Sequence, residues 1–189
     1  MAKAKAKVKV KRKVVHFDPF RVLKKDDLAR LKKIKLLVLD VDGVLTDSRI
    51  YWIEGTGWTR AFSVKDGYGI KLLMKAGCDV GVISGGDSKS VRERASFLGI
   101  RHVYLGDENK IIALEKIMSG TGYKVDEIAF VGDDLFDIPV LEKVGFSATV
   151  PDAVPEVKEV VHYITHGPGG NGAVREICDL IRKAAYNSK

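Results

Sequence analysis

Apolar and polar residues along most of this chain fall into blocks with the lengths of strands and helices. Residues 36–39, Leu-Leu-Val-Leu, carry no charge and run straight into Asp40. An apolar run of that length without alternation reads as a strand covered on both faces, the usual condition of strands in parallel sheets. Further strands are predicted at 80–83, 102–104, 128–131, 144–150 and 160–164. Between them, apolar residues take helical spacing over 69–75, 88–98 and 109–118, with Gly77 and Gly99 placed where helices end. A short helix is predicted at 152–156 and a closing helix from Gly172 onward. Strands alternating with helices in this way predict an α/β fold built on a doubly wound parallel sheet. Residues 49–54 and 58–64 depart from the rhythm: rich in aromatic and β-branched residues about a Gly55-Thr56-Gly57 turn, they predict an inserted β-hairpin. Its rings, Trp52, Trp58 and Phe62, either pack on the domain or form an assembly surface.

The 189 residues, 46% hydrophobic and 30% charged, suit one folded domain with a sizeable core. No apolar run approaches the roughly 18 residues of a membrane span, and no hydrophobic segment of signal-peptide type follows the charged N-terminus. A cytoplasmic protein is expected. Cys78 and Cys178 share no metal or redox spacing and are expected as buried reduced thiols. The net charge of +7 is concentrated at one end. Residues 1–33 hold 13 Lys/Arg against 3 Asp, which leaves 34–189 mildly acidic with 19 basic and 22 acidic residues. Two regions follow: a basic, largely disordered extension over 1–33 and a folded domain over 34–189. Residues 2–12 alternate Lys with Ala or Val, a pattern that buries little and repels itself, whereas 26–31 predict a short helical turn before the first strand. Such an extension could touch nucleic acid or anionic lipid by charge alone. A solvated extension with no partner is the favoured alternative.

Carboxylates gather where strands end. Asp40 and Asp42 follow the first strand, Ser84 and Gly85 the second, and Gly132-Asp133-Asp134, with Asp137 a turn later, the one at 128–131. In an open parallel sheet these ends share one edge, where ligand sites form. Two residues apart on extended backbone, Asp40 and Asp42 start out facing the same side. So many carboxylates stay ionised together only around a cation, and hard oxygen donors without His or Cys point to Mg2+. Ser84 and Gly85 at a helix start offer a hydroxyl and backbone N–H groups to an anion, and Lys110 offers a positive charge. The intervals 42–84 and 110–133 leave no room for a separate cap domain.

Taken in order, Asp-Val-Asp-Gly-Val-Leu-Thr-Asp at 40–47, Ser84-Gly85, Lys110 and Gly-Asp-Asp-Leu-Phe-Asp at 132–137 resemble the motifs of the haloacid dehalogenase superfamily of phosphatases, over residues 35 to about 182. The hairpin, Val64-Lys65-Asp66-Gly67-Tyr68-Gly69-Ile70 and the stretch from Gly169 to Glu176 make the chain most similar to the 3-deoxy-D-manno-octulosonate 8-phosphate phosphatases. The resemblance implies that Asp40 attacks phosphorus and becomes an aspartyl phosphate, while Asp42 protonates the leaving oxygen and then takes a proton from water. It implies Mg2+ held by Asp40, the backbone carbonyl of Asp42 and Asp133, with Ser84, Gly85 and Lys110 on the phosphoryl oxygens. Asp134 and Asp137 would complete the outer shell of the metal or steady Lys110. It further implies a homotetramer in which hairpins pack together and the Gly-rich C-terminal segment reaches a neighbouring site, with Lys65 and Arg175 as candidates to meet the acid of the substrate. The activity implied is that of a sugar-acid phosphatase in lipopolysaccharide precursor synthesis. Gly86 stands where those relatives usually carry Arg, so a nine-carbon keto-acid phosphate or another small phosphate stays open as the substrate. A non-catalytic binding module using the basic extension also stays open.

Overall fold

The computed structural model describes residues 19–186, so the disorder expected at 2–12 and any partner of that tail lie outside the described residues. Helix α1 (Lys25–Leu31) leads into β1 (Leu36–Leu39), and a hairpin of β2 (Tyr51–Ile53) and β3 (Gly57–Thr59) separates β1 from α2 (Val64–Ala76). The chain continues through β4 (Asp79–Ser84), α3 (Lys89–Leu98), β5 (His102–Leu105), α4 (Lys110–Thr121), β6 (Ile128–Val131) and α5 (Ile138–Leu141). It ends with β7 (Phe146–Thr149), α6 (Pro155–Val160), β8 (Tyr163–Ile164) and α7 (Ala173–Ile181). Six strands form one sheet in the order β5-β4-β1-β6-β7-β8, every pair parallel. β1 lies inside it, Leu36 standing in register with Asp79 of β4 and Ile128 of β6.

The unbroken apolar run of β1 has a direct cause. Leu37 and Leu39 pack into the layer that holds Ile70 and Leu73 of α2 and Ile177 and Leu180 of α7. Leu36 and Val38 point the other way, among Leu114 and Ile117 of α4 and Val140 of α5. All four are fully buried, as alternate residues of a strand covered on both faces must be.

Several boundaries differ from those expected. α2 begins at Val64 because Ser63 caps it, its hydroxyl accepting the Asp66 N–H at 3.3 Å. Ser63 therefore closes the hairpin too, and the strand predicted over 58–64 stops at Thr59. The glycines of the first turns, Gly67 and Gly69, concealed the helical period: they are packed closely against Arg94 and Arg175. The short helix lies at Pro155–Val160 rather than 152–156, with Pro155 at its first turn, where a missing N–H costs nothing. That helix takes Val160 out of the strand predicted at 160–164. The boundary at residue 34 moves toward the N-terminus: Leu31 is fully buried and Phe20, Leu23 and Leu28 pack on the same core, so the folded domain includes α1. Cys78 and Cys178 are buried and free. Among the described residues no helix is long and apolar enough to cross a membrane.

The hairpin has no place in the sheet. Trp52 and Trp58, paired across its strands, meet edge to ring at 5.2 Å and remain 63% and 56% exposed.

Candidate active site

The backbone N–H of Asp40 donates to the Val131 carbonyl at 2.9 Å, which carries the β1–β6 ladder one residue past β1 and fixes Asp40 at the sheet edge. There it meets Lys110, the first residue of α4, whose side chain is wholly buried. Lys110 Nζ donates to Asp40 Oδ1 at 2.5 Å and to Asp137 Oδ1 at 2.5 Å, above the Phe136 ring at 4.4 Å. Burial alone pulls the Lys110 pKa down, but the two carboxylates outweigh it and hold the ammonium charged. Asp137 is fully engaged. Its second oxygen accepts the backbone N–H groups of Asp133 (2.9 Å) and Asp134 (3.2 Å), and its carboxylate fills the space where Gly132 would carry a side chain.

Asp133 contrasts with it. Its Oδ1 is buried without a hydrogen-bond partner, and its carboxylate stands where a side chain on Gly43 would be. Gly43 has φ +95°, so the loop after β1 can bend this close only at a glycine. One oxygen from each of Asp40, Asp133 and Asp137 lies within 4.8 Å of the others. Burial pushes Asp40 up to about 7, with Lys110 opposing and Asp137 adding to the shift. Burial, then Asp40 and Asp137, pushes Asp133 up to about 8. A buried oxygen without a partner among crowded carboxylates that resist ionisation suits a cation, and an all-oxygen set fits Mg2+.

The other expected residues divide. Ser84 ends β4 and is buried, its hydroxyl accepting the Gly86 N–H at 3.3 Å in the turn that leads to α3. Gly85 packs closely on Glu108. Asp42 projects from the loop after β1, and both its oxygens are taken by Arg60, with Nε to Oδ1 at 2.5 Å and Nη2 to Oδ2 at 2.7 Å. Asp134 stands outside the carboxylate cluster and caps the following turn, accepting the Leu135 N–H at 2.7 Å. Lys65 is exposed in the first turn of α2, and no contact joins it to the cluster among the described residues. Arg175 is held by its own helix, Nε donating to Asp179 at 2.8 Å.

Within its own chain the Gly-rich segment is seated on the loop that follows β1. The Gly170 N–H donates to the Val44 carbonyl at 3.0 Å, and Gly169 and Gly170 lie against the backbone of Gly43 and Thr46, where no Cβ fits. Asp66 locks the arrangement by accepting the Gly172 N–H (3.1 Å) and the Arg175 N–H (2.7 Å), capping α7 from α2.

Two residues of this architecture escaped the sequence reading. Asp66 looked like part of a motif, not a cap for a helix a hundred residues later. Arg60 gave no signal, because its approach to Asp42 depends on how the hairpin folds back. Only its place, a lone cation between an aromatic strand and a helix cap, sets it apart.

The profile of the haloacid dehalogenase-like hydrolase family matches residues 94–177. The 3-deoxy-D-manno-octulosonate 8-phosphate phosphatase of Escherichia coli K12 is 44% identical over 156 residues, covering 82% of this chain and 83% of that protein. The crystal structure of the Yersinia pestis phosphatase of that name superposes with a TM-score of 0.82 at 42% identity, over 85% of this chain and 86% of the other. The Moraxella catarrhalis phosphatase, solved with magnesium, phosphate and KDO, gives 0.83 at 39% identity, over 86% and 93%.

Proposed function

As the chain belongs to the haloacid dehalogenase-like hydrolases, in the family of the 3-deoxy-D-manno-octulosonate 8-phosphate phosphatases, we propose that it hydrolyses that sugar-acid phosphate with Mg2+. The observation that carries this reading is the Lys110-anchored Asp40 beside the orphaned oxygen of Asp133. Asp40, Asp133 and the Asp42 carbonyl would hold Mg2+, which when bound neutralises phosphate charge against the approaching carboxylate.

The chain's own groups do the rest. An oxygen of Asp40 forms a bond to phosphorus as the bond to the sugar oxygen breaks, and Asp42 gives that oxygen its proton. Water then attacks the phosphorus of the aspartyl phosphate, gives a proton to Asp42 and releases inorganic phosphate and free Asp40. Lys110 fixes the nucleophile and, with the Ser84 hydroxyl and the Gly85 backbone, bears on the phosphoryl oxygens as charge develops there. Asp137 acts through Lys110 and through the loop at 132–134.

A phosphoenzyme site without a cap domain needs cover from water, and the exposed tryptophans of the hairpin supply a surface for it. A homotetramer joined through its hairpins is part of the reading. Phosphate release from a panel of sugar phosphates, with and without Mg2+, tests the activity. Mg2+-dependent turnover concentrated on the eight-carbon keto-acid phosphate is expected, and turnover centred on another phosphate would move the substrate elsewhere.

A further inference from the structure

Arg60 is the cation at this site for which the reaction just described has no use. It follows β3 on the returning leg of the hairpin, and its side chain is only 9% exposed. The guanidinium makes a two-pronged fork on Asp42, and its remaining nitrogen, Nη1, donates to Ser88 Oγ at 2.9 Å. Ser88 in turn caps α3, so Arg60 is braced against the start of a helix. The fork faces the turn after β4. A side chain on Gly86 would begin 3.4 Å from Arg60 Nη2, 3.8 Å from Asp42 Oδ2 and 3.9 Å from Ser84 Oγ. Gly86 carries none and is itself exposed.

Two facts about this arrangement point the same way. A guanidinium already shaped to a carboxylate, in a site that admits an organic phosphate, is matched to a second carboxylate on the incoming molecule. The phosphoryl group has Lys110, Ser84 and the Asp40–Asp133 pair, whereas Arg60 is bound to Asp42 and Ser88 beside Gly86. Both Asp42 oxygens are engaged by the fork, and an Asp42 that is to exchange protons with the leaving oxygen must be let go.

We propose that Arg60 is a substrate-binding residue that exchanges the Asp42 carboxylate for the carboxylate of the sugar acid, so that recognition of the acid frees Asp42 for its role. This rests on the sugar-acid phosphatase reading for its preferred substrate, but not for its test. The device gives selectivity by class: a phosphate ester with a second anion completes the exchange, and one without it leaves Asp42 tied.

The test compares kcat/KM for two matched pairs, 3-deoxy-D-manno-octulosonate 8-phosphate with arabinose 5-phosphate and 6-phosphogluconate with glucose 6-phosphate, in wild type, Arg60→Ala and Arg60→Lys. The preference for the carboxylated member falls at least tenfold in Arg60→Ala, mainly through KM for that member, and partly returns in Arg60→Lys, which restores the charge without the fork. Calorimetric binding of free KDO weakens at least tenfold in Arg60→Ala, a readout independent of turnover. Equal loss on both members of each pair, with KDO binding kept, would make Arg60 a brace for Asp42 and overturn the proposal. An unchanged preference would overturn it as well. Wild type inactive on the eight-carbon acid but favouring 6-phosphogluconate over glucose 6-phosphate through Arg60 would refute the substrate reading and uphold the exchange. Should Arg60→Ala not fold, as judged by circular dichroism, Arg60→Lys carries the comparison.

Discussion

Gly43 shows how tightly single residues constrain this site. At φ +95° with the Asp133 carboxylate in the place of a side chain, it lets the loop after β1 and the loop after β6 touch. Gly43→Ala is expected to cost about 1–3 kcal/mol of stability and at least tenfold in kcat, since strain and displaced carboxylate coincide. Urea denaturation and steady-state kinetics read the two separately. Asp137→Ala removes one of the two carboxylates that keep Lys110 charged in a buried place, and an expected loss of about 3 kcal/mol would be read from the same denaturation curves. The raised carboxylates also set a pH dependence. Unfolded, Asp40 and Asp133 lose their protons near the ordinary value of about 4. Folded and metal-free, they keep them up to about 7 and about 8. The fold thus binds more protons through that window, so these two groups support it fully below the unfolded value and progressively less as pH rises. Mg2+ needs both carboxylates ionised and reverses the loss. The melting temperature with Mg2+ should exceed that in EDTA by more at about pH 8 than at about pH 5; a constant gap would contradict the assignment.

Helices and loops bring these residues together by means that differ in how openly the sequence declares them. The convergence of Asp40, Ser84 and Asp133 was legible, because unbroken apolar runs place strands in a parallel sheet and the residues that follow them must share an edge. The ends of α3 were legible in Ser88 and Gly99, and that of α2 in Gly77. The start of α2 was not, since Gly67 and Gly69 are small for the sake of Arg94 and Arg175, side chains that no local pattern announces. The seat of the Gly-rich segment was equally hidden: flexibility on paper became close packing once Asp66 capped α7. Asp66→Ala should therefore lower stability by about 1–2 kcal/mol and speed hydrogen exchange at the first amides of α7 and at Gly170. Loss of stability without faster exchange at Gly170 would separate the cap from support of the catalytic loop.

For the molecule as a whole, a site with no cap domain and a hairpin with two exposed tryptophans pose one question. The hairpin lies between Asp42 and α2 in the chain and brings Arg60 to the site, so its packing on a neighbour would bear on recognition as well as on cover. If the proposed tetramer is joined through its hairpins, replacing Trp52 and Trp58 together by Ser shifts the protein toward smaller species in sedimentation velocity, while circular dichroism stays that of the folded domain. Unaltered sedimentation would remove the hairpin from the interface. The chemistry comes down to Asp40. The decisive measurement is acid quenching during turnover, reduction with borohydride, which converts an aspartyl phosphate to homoserine, and mass spectrometry of the peptide spanning β1. Homoserine at position 40 in wild type, absent without Mg2+ and absent in Asp40→Asn, is the result expected. Full turnover with Asp40 never modified, or modification at another carboxylate, would contradict the assignment of Asp40 as nucleophile.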